Sequence, residues 1–401
     1  MPQVDFLISN DGHHAAMLQP VVHALATRPD YQCRIISLCE FRGIRSPAER
    51  FQMQRMAFVR VLPFRFRSSS AGRQTGRAES RRTREFVRWL SWHLLLKQPL
   101  QARFATKPDL VVLPNDAAFP YNRIARVLHA RSIPFLLVQE GIRFPLPAAD
   151  GQEIYGRGGA AAIAAWGETS AAYFRQQGVP EDKIHLTGNP RFDAISTTDW
   201  QAEANRLTAR WNWGPKNLLL LSNPIDDQGF CTTQEKLDLI RRFVTEIAPL
   251  FDDPGFHLII KLHGRESVRD FEALVNGLPV ANRVTVLSAA PLYPLFMLSQ
   301  AAIVLASTVG LEALFFGLPL GVLEIPGTGF VHDYVSGGAA HGLTWNASMA
   351  DQVRLLLQSR SQERPSAAVY VARNLATCEG ATERVVKLIT RLAEKCHDQI
   401  K

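Results

Sequence analysis

Residues 303–324 constrain this chain most. The run Ile303-Val304-Leu305-Ala306 is apolar. It is followed by Ser307, Thr308 and Gly310, then by apolar residues at helical spacing as far as Phe316. Gly317 and Pro319 stop that helix, and a second apolar run, Leu320 to Leu323, ends at Glu324. The pattern predicts strand, tight turn, helix, strand, the repeating unit of a parallel sheet. In such a unit the turn lies at the carboxyl end of a strand, where unpaired N–H groups and the helix dipole favour an anion. Ser307, Thr308 and the Gly310 backbone are therefore candidate phosphate contacts, with Glu312 a candidate acceptor for ribose hydroxyls. An equally weighted reading makes Ser307 or Thr308 a simple helix cap and Glu312 a complement to the dipole. Glu312, Pro319 and the glycines argue against a membrane-spanning helix here.

The same unit recurs along the chain. Val4 to Ser9 predicts a strand, Asn10-Asp11-Gly12-His13-His14 a turn made tight by Gly12, and residues 15–27 a helix. Leu110 to Leu113 predicts a strand running into Pro114-Asn115-Asp116, and Pro134 to Val138 one running into Gln139-Glu140-Gly141. A second series begins at Asn217, whose strand leads to Ser222-Asn223 and Asp226-Asp227. Phe256 to Leu262 follows and leads to His263-Gly264-Arg265. A chain of 401 residues is too long for one core. The expected fold class is α/β, as two Rossmann-like domains facing a cleft: residues 1–195, a polar linker with three tryptophans at 196–215, residues 216–365, and a C-terminal helix at 366–401. Open α/β sheets place their chemistry at the carboxyl ends of strands. That makes Glu140, and Asp227 or its neighbour Asp226, candidate catalytic carboxylates. Lys261, His263, Ser222 and Asn223 are candidate nucleotide contacts. Gly12, His13, His14, Asp116, Arg143 and Arg191 are candidates for the cleft or an acceptor site.

The five cysteines are scattered, with no Cys-x-x-Cys pair, and no His-Glu-x-x-His run occurs. Reduced thiols, no zinc and no metal are therefore expected. Neither a Walker loop nor an opening Gly-x-Gly-x-x-Gly is present, against an ordinary ATPase or dehydrogenase. The N-terminus lacks a basic stretch and a long apolar run, so a cytoplasmic protein is expected. The net charge of +8 is uneven: residues 41–107 carry sixteen Arg and Lys against three Glu, a surplus of +13 that leaves the remainder at −5. Phe58, Phe64, Phe66, Phe86, Trp89 and Trp92 lie among these cations, and residues 81–96 have an amphipathic helical pattern. An anionic membrane surface or an anionic glycan is the expected partner, no nucleic acid is expected, and a plainly solvated face carries equal weight.

Four short motifs carry a resemblance. Leu186-Thr187-Gly188-Asn189-Pro190-Arg191-Phe192-Asp193 and Ser307 to Ala313 resemble the domain-junction and donor-phosphate motifs of GT-B sugar transferases. That superfamily includes bacterial Kdo transferases, CDP-glycerol polymerases and UDP-GlcNAc 2-epimerases. Gln139-Glu140-Gly141 and Lys261-Leu262-His263-Gly264 are similar to the acidic and His-Pro motifs of capsule and lipopolysaccharide transferases that use CMP-activated sugars. Here Gly264 stands for the proline and Gln139 for the first acid. The resemblance implies a metal-independent GT-B glycosyltransferase of surface-polysaccharide assembly. It would take a nucleotide-sugar substrate, CMP-Kdo by preference, and no separate cofactor, and transfer the sugar to a glycan or lipid-linked acceptor at the inner face of a membrane. His263 would contact the donor phosphate and Glu140 the acceptor hydroxyl. A sugar-nucleotide epimerase, a CDP-glycerol or UDP-sugar transferase, and a non-catalytic nucleotide-sugar binder are the rival expectations.

Overall fold

The computed structural model describes residues 1–52, 56–65, 81–142, 154–211, 213–359, 365–376 and 379–400. Two compact units form: Met1–Thr197 with Arg373–Lys401, and Thr198–Ala372. Each is built on its own all-parallel sheet.

The first sheet contains β1 (Gln3–Ile8), β2 (Gln32–Ser37), β3 (Met56–Arg60), β4 (Leu110–Leu113), β5 (Phe135–Val138), β6 (Ala162–Ala165) and β7 (Ile184–Leu186). Their order is β3-β2-β1-β4-β5-β6-β7. Val4, Phe6, Leu7 and Ile8 are fully buried, as are Leu110 to Leu113, because helices cover both faces and each strand is apolar on both sides. On one face the helices His13–Ala26 and Ala381–Ile400 pack over Phe6, Ile35 and Leu136. On the other, Trp92, Leu96, Leu100 and Phe104 join Ile124, Leu128 and Phe174 over Leu7, Leu113 and Leu137.

The second sheet contains β8 (Lys216–Leu221), β9 (Phe256–Lys261), β10 (Val284–Leu287), β11 (Ala301–Val304), β12 (Leu320–Leu323) and β13 (His341–Leu343), in the order β10-β9-β8-β11-β12-β13. Helices Thr233–Glu246, Val268–Asn276 and Met349–Gln358 supply the core over Leu218, Leu258, Ile303 and Leu343. The start of the first of these is fixed by a capping box, Thr232 with Glu235.

Three expectations are corrected. Residues 196–215 are no plain linker: the helix Gln201–Trp211 lies there, within the second unit. The chain's last helical region is two helices, Pro365–Asn374 and Ala381–Ile400, broken where Gly380 adopts φ +72°, and the latter belongs to the first unit. Finally, β3 and β13 are strands that periodicity missed. β3 is an edge strand in register with β2 (Ile35 opposite Phe58), half-buried and set among arginines. β13 is three residues long.

Candidate active site: strand ends at two switch points

Strand order reverses between β1 and β4 in the first sheet and between β8 and β11 in the second. At such a reversal the connecting segments leave in opposite directions, and a crevice opens outside the carboxyl ends of the strands. Most of the expected site residues follow these strand ends or those of their neighbours.

In the first unit the residues after β1, β4 and β5 converge on Glu140. His14, in the first turn of helix His13–Ala26, places Nε2 at 2.5 Å from Glu140 Oε2. Its Nδ1 accepts the Ser9 amide at 3.3 Å, with the Ser9 and Tyr121 hydroxyls at 3.5 and 3.3 Å. With Nδ1 accepting, the ring proton sits on Nε2 and is donated to the carboxylate. Asn115 donates Nδ2 to Glu140 Oε1. Its Oδ1 is held by the amides of Ala117 (2.8 Å) and Ala118 (2.7 Å), which fixes the amide's orientation. The Glu140 amide donates to Tyr155 Oη at 3.1 Å, and Tyr155 donates to Pro114 O. Beneath it, the buried Gln139 side chain bonds the Trp166 amide, Ser170 Oγ and Gly141 O, so the strand end is rigid.

Burial alone would raise the Glu140 pKa. The His14 hydrogen bond, the Asn115 bond and the nearby His13 outweigh it and bring the carboxyl to about 2. Glu140 is therefore an anion at neutral pH with 21% of its side chain exposed, able to face a ligand.

The other candidates in this unit are placed differently. Asp116 accepts the Gly156 and Gly158 amides at 2.8 and 2.7 Å and fastens that loop. Gly12 has φ −73°, which any residue adopts, so the turn does not need a glycine. The Arg191 amide bonds Asn189 Oδ1 at the start of helix Pro190–Thr197. Two residues on, Asp193 receives the amides of Ala381 and Thr382 at 3.0 and 2.6 Å, so the motif at 186–193 caps the C-terminal helix. Arg143 lies outside the described residues.

In the second unit the ends of β8, β9 and β11 are joined by side chains. Asn223 Nδ2 donates to Ala306 O (2.8 Å) and Gln228 Oε1 (3.1 Å), leaving its Oδ1 buried without a hydrogen-bond partner. Ser222 Oγ donates to Glu266 Oε1 at 2.7 Å, while Glu266 Oε2 accepts the His263 amide at 2.8 Å. The buried Lys236 neutralises Glu266 (3.4 Å) and Asp226 (2.8 Å) together. His263 Nδ1 accepts the Arg265 amide at 3.2 Å, which leaves Nε2–H as a donor. Desolvation, then the charges of Arg265 and Lys261, lower the pKa of His263 and favour the neutral ring.

Several of these residues do work other than the one expected. Lys261 Nζ spends two of its three donors on Leu262 O and Ser288 O, and burial lowers its pKa. Asp226 is bonded by Lys236 Nζ and Thr233 Oγ1, which leaves Asp227, 3.3 Å from Arg265, the better placed of the two acids to meet a ligand. The Gly310 amide bonds Ser307 O, the Val309 amide bonds Ser307 Oγ, and the Leu311 amide bonds Tyr334 Oη, so these amides are satisfied within the chain. A Cβ on Gly310 would lie 2.9 Å from the Tyr334 ring, so its smallness serves that packing. Glu312 is buried and accepts the Tyr293 hydroxyl at 2.7 Å. Thr308, at the cap of helix Val309–Phe315, makes no side-chain capping bond. Asn115, Glu266, Lys236 and Tyr334 were not anticipated. Asn115 alone had a readable signal, since it ends β4 as Glu140 ends β5. Among the described residues no group of three or more His, Cys, Asp or Glu is placed to hold a metal ion.

No protein-family model and no curated protein matches the chain in sequence. Solved structures match it in fold. The UDP-GlcNAc 2-epimerase of Methanocaldococcus jannaschii, in complex with UDP-GlcNAc and UDP, superposes with a TM-score of 0.65 at 16% identity, over 97% of this chain and 99% of that one. The UDP-GlcNAc 2-epimerase of Neisseria meningitidis bound to UDP-GlcNAc gives 0.62 at 15% identity, over 97% and 99%. The wall teichoic acid polymerase TagF gives 0.58 at 13% identity, over 100% and 90%. At such identities the likeness is one of fold: the chain has the GT-B fold, with two Rossmann-like units.

Proposed function

We propose that this chain is a sugar-nucleotide enzyme of surface-glycan assembly, and that the reaction to test first is the 2-epimerisation of a UDP-N-acetylhexosamine. The observation that carries the reading is the anionic Glu140, held by His14 and Asn115 at the switch point of the first sheet. Two fold neighbours whose structures contain UDP-GlcNAc support the choice of UDP over other nucleotides.

In this reaction the C2 proton leaves as the bond from C1 to the UDP oxygen breaks, giving a C1=C2 double bond and free UDP. A proton returns to the other face of C2 and UDP rejoins C1, with no net redox change. The His14–Glu140 pair takes the proton and returns it. On the second unit the His263 Nε2–H and the Ser307 and Thr308 hydroxyls bind the diphosphate, and Asn223 Oδ1 is the acceptor for a nucleoside donor. The leaving phosphate is stabilised by these fixed donors.

A transferase is the second reading, with CMP-Kdo, CDP-glycerol or a UDP-sugar as donor. The observation favouring it is the +13 segment at 41–107, for which an enzyme with one soluble substrate has no use. There the pair accepts the proton of an acceptor hydroxyl, the acceptor is a glycan or lipid-linked, and the enzyme works at the cytoplasmic face of a membrane. Asp227 is the candidate nucleophile if configuration is retained.

Thermal shifts with UDP, UDP-GlcNAc, CMP and CDP-glycerol decide between them. A ligand at a hundred times its Kd adds about 2.7 kcal/mol of stability. The expected result is stabilisation by UDP, lost in His263→Ala, together with deuterium entering C2 of UDP-GlcNAc in D2O, lost in Glu140→Gln. Stabilisation by CMP or CDP-glycerol alone would move the assignment to the transferase. No shift with any of the four would overturn the proposal.

A further inference from the structure

The helix Arg81–Ser91 continues through a π-helical turn, Trp92–Leu96, into the helix Lys97–Arg103. The second part of this element is anchored. Trp92, Leu96 and Leu100 follow one another at four-residue intervals, with Phe104 next in the series, and all four are buried in the core of the first unit. The part before the π turn is different: residues 85–90 are all exposed. Phe86 is 62% exposed, Trp89 50%, Leu90 38% and Leu94 70%. Their spacing of three, four and eight residues puts them along one side of the helix, with Val87 beside them. Phe86 stacks on Trp89 at 6.2 Å, and Trp89 lies 4.5 Å from the His93 ring, so these side chains form one continuous surface. A contiguous apolar stripe of this kind, left in water, marks a contact surface.

The charge around the stripe identifies its partner. Arg88 and Lys97 flank it, and the segment holding it carries the +13 surplus of an otherwise acidic chain. Aromatic and aliphatic residues on one side of a helix in a strongly basic segment match a surface with anionic headgroups above an apolar layer. No helix among the described residues is long and apolar enough to cross a membrane, so the element would lie along the surface. We infer that the described part of this element, residues 85–96, forms an interfacial helix: the stripe Phe86–Trp89–Leu90–Leu94 enters the headgroup–acyl boundary of an anionic bilayer, and the flanking Arg88 and Lys97 meet the headgroups. The inference goes beyond the proposed reaction and stands whether or not that reaction is right.

The test is co-sedimentation of the full chain with vesicles of equal parts phosphatidylcholine and phosphatidylglycerol, against pure phosphatidylcholine. Binding to the anionic vesicles roughly tenfold or more above the neutral ones, and weakened by salt, is expected. So is a blue shift of tryptophan emission that Trp89→Phe abolishes. The double variant Phe86→Ser, Leu94→Ser should lose about tenfold or more of the binding. It should keep the wild-type unfolding temperature, because both side chains are exposed, and any nucleotide-induced thermal shift. Equal binding to both vesicle types, no binding to either, or undiminished binding by the double variant would overturn the inference. A dimer in solution that the serine changes dissociate would assign the stripe to a second copy and overturn it too.

Discussion

Glu140 shows how one carboxylate can be tuned by its neighbours. Burial opposes its charge, but both its oxygens are occupied by oriented donors, His14 on Oε2 and Asn115 on Oε1. The folded value of about 2 lies below the ordinary 4.5. The stability it contributes is therefore complete above the ordinary value and disappears as the pH falls towards 2. The difference corresponds to something on the order of 3 kcal/mol. Chemical unfolding over a pH series should show wild type losing its advantage over Glu140→Gln between about pH 5 and 2, with the two curves meeting at the acid end. Parallel curves would mean that Glu140 is not ionised in the folded protein. The same substitution should abolish turnover while leaving nucleotide binding by the second unit intact, since the nucleotide contacts proposed there do not involve Glu140.

At the scale of elements, the strand–turn–helix–strand at 303–324 depends on a residue far along the chain. Tyr334 is wholly buried, and its hydroxyl accepts the Leu311 amide at 3.1 Å and donates to Ser307 O at 3.2 Å. Tyr334→Phe removes one hydrogen bond from each group, leaving the Leu311 amide only Thr308 O and Ser307 O only the Gly310 amide, and should cost about 1–3 kcal/mol. Gly310→Ala drives a methyl against the same ring and against Leu320 and should cost a similar amount, about 1–3 kcal/mol. Both would be read as a fall in the unfolding temperature of the second unit, and a neutral Gly310→Ala would show that the ring can yield. The turn itself was legible because apolar runs, Gly317 and Pro319 are local signals. Tyr334 was not, because nothing at 303–324 announces a partner 23 residues beyond Leu311. Glu140 and His14 were likewise legible as strand-end groups, but their pairing joins residues 126 apart in sequence. Asp226 and Asp227 look alike in sequence, and only the position of Lys236 separates the tethered acid from the exposed one. β3 escaped because arginines and exposure hide the apolar alternation of an edge strand.

The whole molecule is one unit set inside another along the chain, since residues 198–372 interrupt the first unit. The helix Ala381–Ile400 completes that unit: Val385, Val386, Leu388, Ile389 and Ala393 enter its core. Around them, Asp193 caps the helix, Tyr31 donates to Glu394, and Asp109 pairs with His397. Removing this helix should cost roughly 5 kcal/mol or more, comparable to the whole stability of an ordinary domain. A chain stopped at Gly380 should show calorimetric unfolding of the second unit alone, and retention of both transitions would show that the helix is dispensable. The arrangement also sets a timetable. On the ribosome the inner unit is finished first, while the face of Phe6, Ile35 and Leu136 in the outer unit waits with the helix His13–Ala26 but without the helix Ala381–Ile400. For the time it takes to make residues 198–400, the elements that carry Glu140 and His14 belong to a half-walled core, so a holding chaperone would find its target there and not on the inner unit.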